Sequence, residues 1–141
     1  PYLGFEALEP FFKKGDKGII VLCRTSNKGA SEFQDLEAKG TPLFLKVAQK
    51  VVTLSKKYPN ILLVVAATWP QELKIIRQVA PNLTFLVPGI GAQGGNLEKS
   101  LKFGLREDKE GLIISASRSI IYAQDPRTAA WKLRDEINKY R

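Results

Sequence analysis

The chain has 141 residues, of which 44% are hydrophobic and 26% charged, and this is the composition of one ordinary globular domain. Its apolar runs, such as residues 61–67, fall far short of the ~20 residues that span a membrane. The chain has no histidine and a single cysteine, Cys23, which disfavours zinc sites, internal disulfides and histidine-based catalysis. The net charge of +8 favours anionic partners, but no run of five basic residues occurs, so we expect mostly solvated helix surface and neither a nucleic-acid site nor a membrane-binding one.

Apolar and polar segments then alternate regularly along the chain. A helical pattern at residues 5–12 is followed by a short β-branched run at residues 18–23, which predicts a buried strand ending at Cys23. After a polar segment, a second helix is predicted to begin with Thr41 as its N-cap and Pro42 at its first position. A single cysteine in the core suits a reducing compartment, so we expect a cytoplasmic protein.

The second half of the chain continues the same alternation. Strands are predicted at residues 61–67, 83–87 and 111–116, because these runs are short and apolar. Apolar side chains recur at helical spacing after each of these strands: Leu73, Ile76, Val79 and Ala80; Leu97, Leu101 and Phe103; Ala129, Leu133 and Ile137. The last helix should run from about residue 125 to residue 140.

Buried strands that alternate with amphipathic helices predict an α/β fold with a parallel sheet covered by helices. An open doubly wound sheet and a (β/α)8 TIM barrel both fit this order of elements. A complete barrel needs eight strands and about 250 residues. The first predicted element is a helix without its own strand, so in a barrel residues 1–141 would form the C-terminal half of a single domain. Because the sequence begins with Pro1 rather than Met, we expect the natural N-terminus to lie elsewhere.

In both architectures ligands bind at the carboxyl ends of the strands, where the most informative segment is VPGIGAQGG, residues 87–95. Glycines allow a backbone to approach a ligand closely, and amides near a helix N-terminus bind anions, so we predict a phosphate here. Gln93 would add a neutral donor, and Arg118, after the next strand, a bidentate guanidinium. The alternatives are a simple tight turn for the glycines and a surface salt bridge for Arg118. The match to G-x-G-x-x-G is weak, because a proline precedes it and no acidic residue follows at the required distance.

Four segments together resemble the orotidine 5'-phosphate decarboxylase family, in particular its longer subgroup with the motif R-T-S-N-x-G-A. They are PYLGFEALEPF, VLCRTSNKGASEFQ, VPGIGAQGG and IISASRSIIYA, in this order, and they cover essentially the whole chain. The resemblance implies a TIM barrel that uses no metal or organic cofactor, forms homodimers and converts orotidine 5'-phosphate to UMP in de novo pyrimidine biosynthesis.

The resemblance also implies roles for individual residues. Gln93 and Arg118 match the phosphate-binding pair of the family, and Ser117 would offer its backbone amide to the same phosphate. Ser26, in the R-T-S-N motif, matches the residue that binds the pyrimidine. Pro88 matches a proline beside the pocket for the departing carboxylate, and Thr68 lies on the same rim without an assigned role.

The family's catalytic motif, D-x-K-x-x-D, does not occur in this sequence, because Asp16-Lys17 and Asp108-Lys109 are adjacent pairs. We therefore expect a chain that carries the phosphate- and pyrimidine-binding loops, that needs the N-terminal half of a barrel as its partner, and that is inactive alone. The alternative is a half-barrel that binds phosphorylated pyrimidines without turnover.

Overall fold

The computed structural model of the chain describes residues 1–91 and 94–141, and within them four parallel strands form one sheet in the order β1-β2-β3-β4. The strands are β1 (Ile19–Arg24), β2 (Ile61–Val65), β3 (Phe85–Pro88) and β4 (Leu112–Ser115). The helices are α1 (Glu9–Phe12), α2 (Ser31–Gln34), α3 (Leu43–Ser55), α4 (Pro70–Val79), α5 (Leu97–Gly104), α6 (Arg118–Ile121) and α7 (Pro126–Asn138), with 3₁₀ turns at Glu6–Leu8 and Lys28–Ala30.

The strand order distinguishes between the two predicted architectures. Each strand pairs in parallel with the next one along the chain, so the order never reverses. Because crossovers between parallel strands are right-handed, a sheet of unreversed order has its crossover helices on one face, as in a barrel wall. A doubly wound sheet reverses its order and has helices on both faces.

The two faces of the sheet differ accordingly. Leu63, Val65 and Phe85 point toward the helices and are fully buried in the core. On the opposite face Leu22 is 55% exposed and Ile113 is 46% exposed, although both are large apolar residues of the strands. The sheet therefore has one face packed against helices and one exposed apolar face, as expected for part of a barrel wall.

Cys23 is buried against α3, as predicted. Its side chain is 3% exposed, and its thiol donates a hydrogen bond to the carbonyl of Phe44 (3.2 Å). Burial raises the pKa of the Cys23 thiol to about 12, so the thiol stays protonated and unreactive at neutral pH. No helix in the described part of the chain is long and apolar enough to span a membrane.

The predicted cap of α3 is wrong by one residue. Thr41 was expected as N-cap, but Pro42 occupies that position with extended backbone, and its carbonyl accepts from the amides of Leu45 and Lys46. Pro42 thus lies just outside the helix, which begins at Leu43. The short helices α2 and α6 were not predicted, because four-residue helices in polar segments carry no apolar periodicity.

Candidate functional site

The carboxyl ends of the strands lie along one edge of the sheet, as the parallel order requires. Pro88 of β3 is paired with Ser115 of β4, and the ladder continues past the strand ends through the amide of Ala67, which donates to the carbonyl of Pro88 (2.9 Å). The amide of Ala66 likewise donates to the carbonyl of Arg24 (2.8 Å). The four loops that follow the strands are therefore neighbours on one rim.

The glycine-rich loop after β3 is a tight, internally bonded turn. Gly89, Gly91 and Gly94 adopt positive φ values of 95°, 77° and 80°, which favour glycine. The amide of Gly94 donates to the carbonyl of Gly91 (2.8 Å), and that of Gly95 donates to the carbonyl of Gly89 (3.0 Å). These two amides are engaged within the turn, so an anion bound here would need other donors.

Gly95 has a separate reason to be glycine. A β-carbon at this position would lie 2.5 Å from the carbonyl oxygen of Gly89 and 2.7 Å from the β-carbon of Ala67, closer than side chains approach. The tight-turn alternative thus accounts for part of the glycine pattern. It leaves open what binds outside the turn, because Gln93, the predicted neutral donor, lies outside the described residues.

Helix α5, which follows the loop, is capped by the side chain of its N-cap residue, Asn96. The side-chain oxygen of Asn96 accepts from the amide of Lys99 (2.8 Å). The amide of Lys99 is therefore already used, and the predicted anion contact with this helix end is limited to its remaining donors.

Arg118 lies on the rim next to the glycine loop. It is the first residue of α6, after Ser117 at the N-cap, and both residues are exposed. A β-carbon added at Gly91 would lie 3.6 Å from Cβ and Oγ of Ser119, so the two loops are neighbours with room for about one methyl group between them. Within residues 1–91 and 94–141 no salt bridge of Arg118 is found, so the salt-bridge alternative has no support there.

Ser26, the predicted pyrimidine contact, is half-buried in a segment held on both sides. The amide of Thr25 donates to the side-chain oxygen of Gln34 (3.1 Å), whose Nε2 donates back to Oγ1 of Thr25 (2.8 Å). The hydroxyl of Thr25 donates to Oδ1 of Asn27 (2.6 Å), and the indole of Trp69 donates to the carbonyl of Thr25 (2.9 Å). None of these contacts was predicted, and those with Gln34 and Trp69 join separate elements of the fold.

The remaining predicted residues lie on the same rim. Pro88 ends β3, half-buried, and Thr68 follows β2 with its hydroxyl buried and without a hydrogen-bond partner among the described residues. No group of three or more acidic or cysteine side chains in residues 1–91 and 94–141 is arranged to hold a metal ion. The described rim thus brings together five of the six predicted site residues.

Comparison with protein families gives one match across nearly the whole chain. Residues 1–133 match the family model described as "Orotidine 5'-phosphate decarboxylase / HUMPS family". Two curated relatives named orotidine 5'-phosphate decarboxylase are those of Cellvibrio japonicus, 46% identical over 98% of this chain, and Thermomicrobium roseum, 47% identical over 100% of it. The chain covers 53% of each of these relatives, so it spans about half the length of the proteins it matches.

Solved structures agree with this match. The chain resembles the Leishmania donovani OMP decarboxylase with a TM-score of 0.93 and 44% identity, covering 99% of this chain and 54% of that one. The orotidine 5'-monophosphate decarboxylase from Methanocaldococcus jannaschii, solved with the inhibitor BMP, gives a TM-score of 0.71 and 29% identity, with 94% and 55% covered.

Proposed function

The chain belongs to the orotidine 5'-phosphate decarboxylase / HUMPS family, and we propose that residues 1–141 form the C-terminal half of a decarboxylase barrel. The strand order, the exposed apolar face and the half-length match to relatives all support this proposal. An apolar groove of about 480 Å³ beside β1, lined in part by Phe33, Leu22 and Phe44, would pack against the N-terminal half. The complete enzyme would form the homodimer that the resemblance implies.

The proposed reaction is the conversion of orotidine 5'-phosphate to UMP, and this half holds the substrate. The observation that carries the proposal is the closeness of Gly91 in the glycine loop to Ser119, the residue after Arg118. Arg118, Gln93 and the amide of Ser117 hold the phosphate. Ser26 binds the pyrimidine at the opposite end of the same rim.

The chemical step belongs to the partner half. Protonation of the carbanion left by loss of carbon dioxide needs the lysine of D-x-K-x-x-D, which this chain lacks. Binding of the phosphate, which does not react, contributes energy that the enzyme uses to orient the pyrimidine and its carboxylate at the reacting centre. Pro88 lies beside the pocket that receives the departing carboxylate, and Thr68 lines the same rim.

The phosphate site is tested in what we call the barrel complex, this chain bound to the N-terminal half of the Thermomicrobium roseum relative. Arg118→Ala removes a charge-assisted hydrogen bond worth roughly 1.5–3 kcal/mol, so affinity for UMP should fall about ten- to a hundredfold. Affinity for uridine, which has no phosphate, should barely change. Calorimetric titration of both ligands measures the difference.

The matched control is Arg134→Ala, since Arg134 lies exposed on α7 and pairs only with its neighbour Asp135 among described residues. This variant should bind both ligands as the wild type does. Equal weakening of UMP and uridine in Arg118→Ala would show that Arg118 supports the fold and not the phosphate.

A further inference from the structure

A β-bulge at the end of β1 turns a charged side chain into the protein. Leu22 pairs with Val64, whereas Arg24 pairs with Val65, so β1 contains one extra residue at this point. As a result Cys23 and Arg24 are buried in succession, although neighbouring strand residues normally point to opposite faces. Bulges next to functional sites often re-aim a side chain in this way.

The guanidinium of Arg24 is enclosed by side chains from three helical segments. Only 1% of its surface is exposed. Its Nη1 lies 2.7 Å from Oδ1 of Asp35, and its Nη2 lies 3.7 Å from Oε1 of Glu72. The guanidinium also stacks over the ring of Trp69, 4.2 Å from the centroid, and lies 5.2 Å from that of Phe44.

One of the groups that hold Arg24, and the sequence neighbour of another, also hold the segment after it. The indole N–H of Trp69, whose ring lies under the guanidinium, donates to the carbonyl of Thr25. Gln34, the residue before Asp35, exchanges two hydrogen bonds with Thr25. Arg24 therefore contacts Trp69, which binds Thr25 directly, and Asp35, whose neighbour Gln34 binds the same residue before Ser26.

We propose that Arg24 and Trp69 are positioning residues that orient Ser26 toward the pyrimidine. This inference rests on the proposed function, since it names how the pyrimidine end of that site is set. Arg24 fixes the ring of Trp69, the ring directs its N–H to the carbonyl of Thr25, and Thr25 sets the backbone of Ser26. The phosphate end of the site, on β3 and β4, is held without this network.

The test replaces Trp69 by Phe, which keeps an aromatic ring under Arg24 and removes the N–H that reaches Thr25 together with part of the indole. In the barrel complex, Trp69→Phe should weaken uridine about fivefold, the value for one neutral hydrogen bond. Ribose 5-phosphate, which carries the phosphate without the base, should bind as tightly as to the wild type. The matched control is Trp131→Phe, because Trp131 is 52% exposed on α7 and takes no part in the network.

The effect should be confined to the Ser26 loop. Hydrogen exchange of the amides at residues 25–27 should accelerate in Trp69→Phe, while exchange in β3 stays as in the wild type. Gln34→Met, which removes the two bonds to Thr25 without altering the ring under Arg24, should give the same selective loss of uridine affinity if Trp69→Phe does not fold.

Two results would overturn the proposal. Equal weakening of uridine and ribose 5-phosphate would assign the network to general stability, and unchanged uridine affinity would show that Ser26 is positioned by other contacts. If the wild-type complex binds neither ligand, the proposed function fails. Hydrogen exchange then still tests whether Trp69 positions the Ser26 loop, because an unchanged exchange rate at residues 25–27 in Trp69→Phe contradicts that role.

Discussion

Two buried arginines lie at opposite ends of the sheet, and their partners differ in kind. Arg77, on α4 near the amino ends of β3 and β4, is 9% exposed and stacks on the ring of Phe85, 3.8 Å from its centroid. Among the described residues its guanidinium donates to backbone carbonyls alone, which belong to Ala80, Pro81, Leu83, Gly104 and Gly111. Arg24, near the carboxyl ends, contacts side chains instead, and its Nε and Nη1 have no aligned acceptor among described residues.

This difference in partners suggests different roles for the two arginines, with Arg77 stabilising the fold and Arg24 positioning a loop. Backbone carbonyls at helix and strand ends must be satisfied when buried, so Arg77 joins α4, α5, β3 and β4 at the end of the sheet opposite the proposed site. Carboxylates and aromatic rings transmit the position of Arg24 to a loop, and loops at the carboxyl ends bind the ligand. We thus assign Arg77 to the stability of the sheet, and the proposal above assigns Arg24 to the position of the Ser26 loop.

The largest expected effect is on Arg77. Arg77→Met leaves several carbonyls, including those of Leu83 and Gly104, without their charged donor, so the free energy of unfolding should fall by about 3 kcal/mol or more. Burial lowers the pKa of Arg77 to about 10, with a smaller contribution from the charge of Arg106, and the side chain stays protonated at neutral pH. Urea unfolding of the barrel complex measures the loss.

The exposed arginine of α7 serves as the control for this variant. Arg134→Met breaks a surface pair with Asp135 and should change stability by less than about 1 kcal/mol. Similar, small losses in Arg77→Met and Arg134→Met would contradict the assignment of Arg77 as the link between these elements.

A smaller effect is expected at Cys23, the residue before Arg24. Because burial raises the thiol pKa from 9.0 to about 12, the unfolded chain releases this proton at lower pH than the folded chain does. Stability from the buried thiol is complete below about pH 9 and should fall above it by about 1.4 kcal/mol per pH unit up to about pH 12. Comparing urea unfolding of the wild type and Cys23→Ala at pH 8 and pH 10 isolates this slope, since other groups titrate alike in both.

Chemical labelling gives an independent check on Cys23. The native thiol should resist thiol reagents at pH 8 and react only when the protein unfolds. Rapid labelling of the native protein would contradict the burial of this end of β1.

Much of the fold could be predicted from the sequence, because apolar periodicity defines the strands and the longer helices. The bounds of α5 at Leu97 and Gly104 follow from that pattern and from its terminal glycine. The cap at Thr41 was predicted wrongly because Thr-Pro is compatible with two cap positions, and only the tertiary bond from Leu43 to the carbonyl of Leu36 distinguishes them.

The candidate site was predictable in part. The resemblance to the family pointed to Ser26 and Pro88, the strand-end loops pointed to Arg118, and the parallel order brings all three to one rim. The Arg24 network was not predicted, since Asp35, Glu72 and Trp69 meet Arg24 only through packing of separate helices. A charged residue at the end of an apolar strand was the available signal, and it indicates a buried charge that requires partners.

The central claim is that this chain supplies the substrate-binding half of a decarboxylase. The most direct measurement follows the loss of substrate absorbance on adding orotidine 5'-phosphate to this chain, to the N-terminal half of the Thermomicrobium roseum relative, and to the barrel complex. We expect turnover only by the complex, because the loops of this chain and the D-x-K-x-x-D motif of its partner must meet in one site. Turnover by the pure chain, abolished by an active-site inhibitor, would contradict the account, and so would a complex that binds UMP without any decarboxylation.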